Sequence, residues 1–421
     1  MKRDIPIANA TPSAVDTRNL TGDGSSASGL TADRLEVHST STPFHDVRAL
    51  AADTTLLHIG PRKSGTTAIQ SAFHLGRAQV REAGVLYPGH RPAQSKALRA
   101  LRTADGLPIN PKDAKLARAM QQELADWRGR TLLSAEMLEH ADADQIESLI
   151  SRLNRDNLQV LITARPISKQ LPSLWQQLTK RGKISDALEP WIKALVSDPD
   201  SPEWHGQRVD WLSERWGRIV GLDRVHVMLV DPKQRAETIA TVERLLGLAP
   251  YALQPARSNR GMTMREADMA RALRRAAAEQ NPSPQQSRDL DLTINRYLAA
   301  RTPAADEMHP AMPRSLRSQT DELQARVAAN LATGGYHLIG DLGTWQRTED
   351  RDFADLENRV VDLRETPDDP VVDMVRELLD AHADGHTRGL VQATVPHQSA
   401  GGDEPRSTRI WQRASQQLRR S

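Results

Sequence analysis

The residues with the most chemical content run Leu57-His58-Ile59-Gly60-Pro61-Arg62-Lys63-Ser64-Gly65-Thr66-Thr67-Ala68-Ile69-Gln70. A short apolar run ends in a tight loop and gives way to a helical pattern. Backbone N–H groups and the positive end of a helix dipole then converge on one point, which makes an anion site. Gly65 lets the backbone come close to a phosphate, Thr66 and Thr67 put hydroxyls in the first helical turn, and Lys63 adds a cation. A nucleoside-triphosphatase loop follows the pattern G-x-x-x-x-G-K-[ST]. Gly60 and Gly65 keep that glycine spacing, but Thr66 takes the position of the lysine, and the lysine itself stands two residues before the second glycine.

A second cation stands at another strand end. Leu161-Ile162-Thr163-Ala164 closes on Arg165-Pro166, and a helix over 167 to 182 carries Ser173, Trp175, Gln176 and Gln177. An arginine presents a planar fork of donors to a phosphate and a serine hydroxyl adds one more. Proline at 172 is unfavourable inside a helix, so the helix is expected to start late, near Ser173, or to kink there. Two candidate bases follow the strand that ends at Ser134: Glu136 is the first, and His140 stands one helical turn further on. A carboxylate with an ordinary pKa is a poor base for an alcohol, so the role asks for a perturbed Glu136. His58, inside the first strand, reads as a core or edge histidine rather than a catalyst, and Asp231-Pro232 as a helix cap and first helical position.

The order Lys-Ser-Gly-Thr-Thr over 63 to 67 resembles the 5′-phosphosulfate loop of sulfotransferases that use 3′-phosphoadenosine-5′-phosphosulfate (PAPS), and Arg165 with Ser173 eight residues later resembles their 3′-phosphate motif. The resemblance covers roughly residues 54 to 345 and includes Gly335 to Leu342. It implies a P-loop-type fold and transfer of a sulfuryl group from PAPS, as co-substrate and without a metal, to a hydroxyl or amine of a small-molecule, carbohydrate or glycolipid acceptor. Lys63 would neutralise the bridging oxygen, and Ser64, Gly65, Thr66, Thr67 and Ala68 would line the 5′-phosphate. Arg165 and Ser173 would hold the 3′-phosphate, with Arg260 and Gly261 from a basic loop closing over it, and Glu136 or His140 would be the base. Many family members place a tryptophan where Ala68 stands, so adenine has to stack elsewhere. Two other readings stay open: a P-loop kinase-like phosphoryl transferase, and a catalytically silent nucleotide-binding scaffold.

These residues need elements to position them. The apolar run 55 to 59, then 130 to 134, 158 to 164 and 224 to 230, each followed by a helical pattern, predict an α/β fold with a doubly wound parallel sheet flanked by helices. Helices are expected over 66 to 83, ending at Gly84, and over 231 to 246. Residues 1 to 45 read as a disordered leader, 46 to 250 as the α/β core, 251 to 390 as a mostly helical region with patterns at 263–279, 285–300, 314–332 and 371–383, and 391 to 421 as a flexible basic tail suited to peripheral membrane contact. Among the 421 residues, 56 Lys and Arg against 54 Asp and Glu argue against a dedicated nucleic-acid binder. With no cysteine, thiolate nucleophiles and cysteine zinc sites are excluded. No apolar run spans a membrane, and the N-terminal residues lack an apolar leader, so a cytoplasmic protein is expected.

Overall fold

The computed structural model describes residues 41 to 356, apart from 104–106, 202–203, 205, 232, 256–259 and 279–282. The first forty residues of the leader, the helical pattern at 371–383 and the basic tail lie outside the described residues.

In chain order the elements are β1 (Thr55–Ile59), α1 (Thr66–Leu75), α2 (Arg77–Glu82), β2 (Val85–Leu86), α3 (Ser95–Arg102), α4 (Pro111–Ala125), β3 (Arg130–Ser134), α5 (Ala143–Leu153), β4 (Leu158–Ala164) and α6 (Ile167–Lys180). There follow α7 (Leu188–Ser197), α8 (Val209–Val220), β5 (Val225–Leu229), α9 (Arg235–Leu245), α10 (Met264–Ala278), α11 (Pro284–Ala300), β6 (Met312–Pro313), α12 (Arg317–Thr333), β7 (His337–Ile339), α13 (Leu342–Gln346) and β8 (Phe353–Ala354). A six-stranded sheet has the order β2-β3-β1-β4-β5-β7, and every pairing in it is parallel. All five residues of β1 are buried, as a central strand covered on both faces requires. Side chains alternate between the faces. Leu57, Ile59, Leu133, Val160 and Ile162 pack under Trp175 and Trp216, while Leu56, Leu132, Leu161 and Met228 pack under Ile69 and Phe73 of α1 and Ile239, Val242 and Leu245 of α9. The result is helix, sheet, helix in three layers.

Four of the six strands match the apolar runs. The fifth, β2, has two residues and is too short to carry a periodicity. The sixth, β7, comes from the mostly helical region and pairs with β5, so that region completes the sheet's edge. Thr42 extends the same edge: its N–H donates to Leu338 O and its carbonyl accepts from Gly340 N, both at 2.9 Å. Thr42, which the sequence placed in a disordered leader running through residue 45, is therefore held at the sheet's edge.

Three expected helices differ in their limits. The helix over 66 to 83 breaks at Gly76, where a Cβ would stand 2.1 Å from Leu253 Cδ2, so the chain bends to let that leucine in. The helix expected from Asp231 begins at Arg235. Asp231 instead closes a turn, its carboxylate accepting from Lys233 N at 2.9 Å and its carbonyl from Gln234 N at 2.9 Å, and Pro232 lies outside the described residues. The third, α6, starts at Ile167 and runs through Pro172. Burial of Leu171, Leu174 and Trp175 outweighs the hydrogen bond that the proline removes.

Candidate functional site

The carboxyl end of β1 lies beside the point where the chain's crossovers change side: β3 and β2 are on one side of it, β4 and β5 on the other. Open α/β sheets bind ligands at such a point. The loop between β1 and α1 is wound tightly, with φ of +69° at Lys63 and +101° at Gly65. For a lysine, this left-handed conformation costs about 1 to 3 kcal/mol and persists only where the surroundings impose it. They do so through Ser64, which is fully buried with its Oγ 2.8 Å from Thr163 Oγ1 on β4. Gly60 is required there, since a Cβ would fall 2.5 Å from Thr163 Oγ1 and 2.6 Å from Ser64 Oγ. No side chain caps α1, and among the described residues no acceptor meets the N–H groups of Gly65, Thr66 or Thr67.

The floor beneath the loop is a polar relay. Gln70 Nε2 donates to Ser134 Oγ at 3.0 Å, and that hydroxyl shares a 2.9 Å hydrogen bond with His58 Nδ1. Either Ser134 Oγ or His58 Nδ1 is the donor of that bond, and His58 Nε2 lies 3.5 Å from Thr163 Oγ1. His58 is fully buried and burial holds its pKa down to about 3, so it is neutral, a core histidine as its place in the strand implied.

Two cations meet above this floor. Arg165 Nη1 donates to Lys63 O at 3.4 Å, and burial together with the charge of Arg235 lowers the Arg165 pKa to about 10. Its Nε is buried without a partner. Burial also lowers the pKa of Lys63, helped by Arg165, Arg181 and Lys180 and opposed by Glu136. Ser173 is half-buried on α6. Six residues past the start of that helix, it stands about 9 Å along the axis.

Of the two candidate bases, Glu136 joins the site: Thr66 Oγ1 donates to its Oε2 at 3.0 Å. His140 turns to a neighbouring cluster that sequence reasoning did not single out. Its Nε2 lies 3.0 Å from Glu139 Oε1, and Arg62 Nε approaches the same oxygen at 2.7 Å. Burial pushes the Glu139 carboxyl up, while His140 and Arg62 pull it down. These contacts lie off the ideal hydrogen-bond directions, so the carboxylate acts as a buried counter-charge that holds Arg62, and through it the loop. Gln170 Nε2 holds Arg62 from the other side by donating to its carbonyl at 3.3 Å. No local signal in the sequence marks Glu139, which lies in a 3-10 turn over residues 136 to 140 and is buried against Arg62.

Arg260 forms a bidentate pair with Glu266, at 2.7 and 2.8 Å. Gly261 lies against Gln176 of α6, where a Cβ would meet the amide at 3.2 Å. The rest of the expected basic loop, 256 to 259, lies outside the described residues.

A cleft of about 800 Å³ opens along the carboxyl ends of β5 and β7, lined among others by Pro166, Lys169, Val230, Asp231, Tyr251 and Trp345. It adjoins the loop, since Val230 Cγ2 lies 4.0 Å from the Cβ position of Gly65. Among the described residues no helix is long and apolar enough to cross a membrane. No family model matches the chain, and no curated protein matches it.

Proposed function

We propose that the protein is a sulfotransferase that moves a sulfuryl group from PAPS to an acceptor hydroxyl or amine. The observation that carries this reading is the meeting of a loop cation and a strand-end cation, with Arg165 Nη1 on the carbonyl of Lys63. A donor bearing both a 5′-phosphosulfate and a 3′-phosphate needs two anion sites side by side. The residues fit such a ligand: the Arg165 Nε is buried and unpartnered, and Lys63 carries an ammonium whose charge is disfavoured until an anion arrives.

The donor supplies an activated sulfur–oxygen bond. The N–H groups of Gly65, Thr66 and Thr67 bind the 5′-phosphate at the positive end of α1. Lys63 stabilises the negative charge on the bridging oxygen as its bond to sulfur breaks and the acceptor oxygen bonds on the opposite side. Glu136, held through Oε2 by Thr66, takes the acceptor's proton. Arg165 and Ser173 bind the 3′-phosphate, and the nucleoside lies in the cleft beside Val230.

Thermal unfolding with the desulfated product 3′-phosphoadenosine-5′-phosphate, compared with ATP plus magnesium, tests this. At 100 times its dissociation constant the bisphosphate stabilises the fold by about 2.7 kcal/mol, a rise of a few degrees. The rise is expected to vanish in Arg165→Ala. Stabilisation by ATP and magnesium instead moves the assignment to phosphoryl transfer, and silence toward both overturns either reading.

A further inference from the structure

One carboxylate beside the β1–α1 loop faces two nitrogen bases. Glu139 is fully buried in its 3-10 turn. Arg62 Nε lies 2.7 Å from its Oε1, and His140 Nε2 lies 3.0 Å from the same oxygen. Arg62 Nη2 and His140 Nε2 are themselves 3.5 Å apart. Arg62 is always charged and balances the carboxylate, whereas an imidazole is the side chain whose charge changes between about pH 5 and 8. Without a proton, His140 Nε2 can accept from Arg62. In the imidazolium both ring nitrogens carry protons and can only donate, so Nε2 then competes with Arg62 Nε for Oε1 and sets a second positive charge against the guanidinium.

The surroundings decide which cation yields. His140 follows Glu139 in the chain, and Gly206 closes on its ring, where a Cβ would stand 2.6 Å from both Nδ1 and Cε1. Arg62 comes from the loop, and its side chain is 32 % exposed, so water can receive it. What then remains on Arg62 is the 3.3 Å bond from Gln170 Nε2 to its carbonyl. The next residue is Lys63 at φ +69°, a conformation that persists only while the surroundings impose it. The other charges at the cluster come from four elements. Glu136 stands in the same turn. Arg215 of α8 donates through Nη2 to Glu139 O at 2.6 Å and faces Asp142, which also faces Arg102 of α3. Arg208, near Gly206, is closed on Asp210 at 2.9 Å. Behind the turn His58 of β1 stays neutral through burial, so among the described residues His140 is the imidazole of this cluster left to titrate.

We propose that Glu139 is a positioning residue that holds the β1–α1 loop through Arg62, and that protonation of His140 releases the hold. The clamp does not rest on the sulfuryl-transfer reading; its consequence for nucleotide binding does. With His140 neutral, the buried carboxylate has Arg62 as its counter-charge, and the loop keeps the turn that sets Lys63 O on Arg165 Nη1. With His140 charged, the carboxylate is neutralised within its own turn, Arg62 moves to water, and the loop loosens. The proton thus biases a two-state element through one local change of charge. Glu139 touches no reacting group in this account and acts through Arg62 alone.

Hydrogen exchange of the full chain between about pH 5.5 and 8 tests it. Exchange is read by mass spectrometry on peptides spanning 60–67, corrected for its intrinsic pH dependence, and compared with a peptide over β5 that reports opening of the whole fold. The wild-type loop is expected to lose protection relative to β5 as pH falls, by up to about tenfold per unit, the limit for one proton. His140→Gln is expected to keep the high-pH protection throughout, and Glu139→Gln to be unprotected at every pH. A flat wild-type profile, a slope that persists in His140→Gln, or a Glu139→Gln loop as protected as the wild type overturns the proposal. If Glu139→Gln does not fold, His140→Gln decides alone. In the same samples, affinity for 3′-phosphoadenosine-5′-phosphate is expected to fall toward acid pH more steeply in the wild type than in His140→Gln. If that nucleotide never binds while the loop follows the expected exchange, the transfer reading falls and the clamp stands.

Discussion

Lys63 is held in a left-handed backbone conformation, and burial and neighbouring cations lower its pKa. An anion beside it reverses that shift, so the bound state keeps the proton that the free state gives up. On the proposed sulfuryl-transfer reading, the part of the affinity for the bisphosphate nucleotide that Lys63 supplies is therefore expected to be full below the lowered pKa of free Lys63 and to decline as pH rises through it, by up to about tenfold per unit. Lys63→Arg keeps its charge throughout, so titration calorimetry from pH 7 to 10 is expected to show a falling affinity in the wild type and a flat one in the variant. A flat wild-type profile rules out Lys63 as the titrating contact. Lys63 and Arg165 were legible in the sequence because a loop cation and a strand-end cation keep fixed places relative to their own elements. Glu139 was not: what distinguishes it is complete burial against Arg62, and a Glu between Leu138 and His140 reads as an ordinary solvated turn.

At the scale of elements, the first turn of α6 is finished by distant parts of the chain. Gln324 Oε1 on α12 accepts from Ile167 N at 2.8 Å, and Gln324 Nε2 donates to Trp345 O at 3.3 Å. The Trp345 indole N–H donates to Ala164 O at 3.0 Å, one residue before Arg165. Gln324→Leu leaves the Ile167 N–H buried without an acceptor, which costs about 1 to 3 kcal/mol. Urea denaturation is expected to show that loss with an unchanged m value, and a loss below about 0.5 kcal/mol would mean the cap contributes nothing. The same distance in sequence explains which element limits the residues concealed. Strands β1, β3, β4 and β5 declare themselves as apolar runs, whereas the break at Gly76 depends on Leu253, and the passage of α6 through Pro172 depends on packing that no local preference records.

Across the whole molecule, the central strands bury two histidines that stay neutral. Folding holds the pKa of His58 at about 3 by burial, and that of His226 at about 4 by burial and the charge of His337. Both titrate near 6.5 when unfolded. Between these values the unfolded chain binds the protons, so stability is present above pH 6.5 and is lost as pH falls toward 4, at up to roughly 1.4 kcal/mol per unit for each histidine. His58→Asn keeps a hydrogen-bonding group for Ser134 and is expected to flatten part of that slope in thermal unfolding between pH 4.5 and 7.5; an unaltered slope would clear His58 of the effect. The α/β class and its parallel sheet followed from alternating apolar runs and helical patterns, but the edge strand β7 did not, because three residues gain their meaning only from β5 beside them. Gln324 and Trp345 also carry a meaning in time. Synthesis proceeds from the N-terminus at about 5 to 20 residues per second, and 181 residues separate Ala164 from Trp345. For roughly 10 to 40 seconds a nascent chain therefore holds the β1–α1 loop and Arg165 while the end of β4 and the start of α6 wait for their partners. A ribosome-bound chain has the parts of the candidate site well before it has the site.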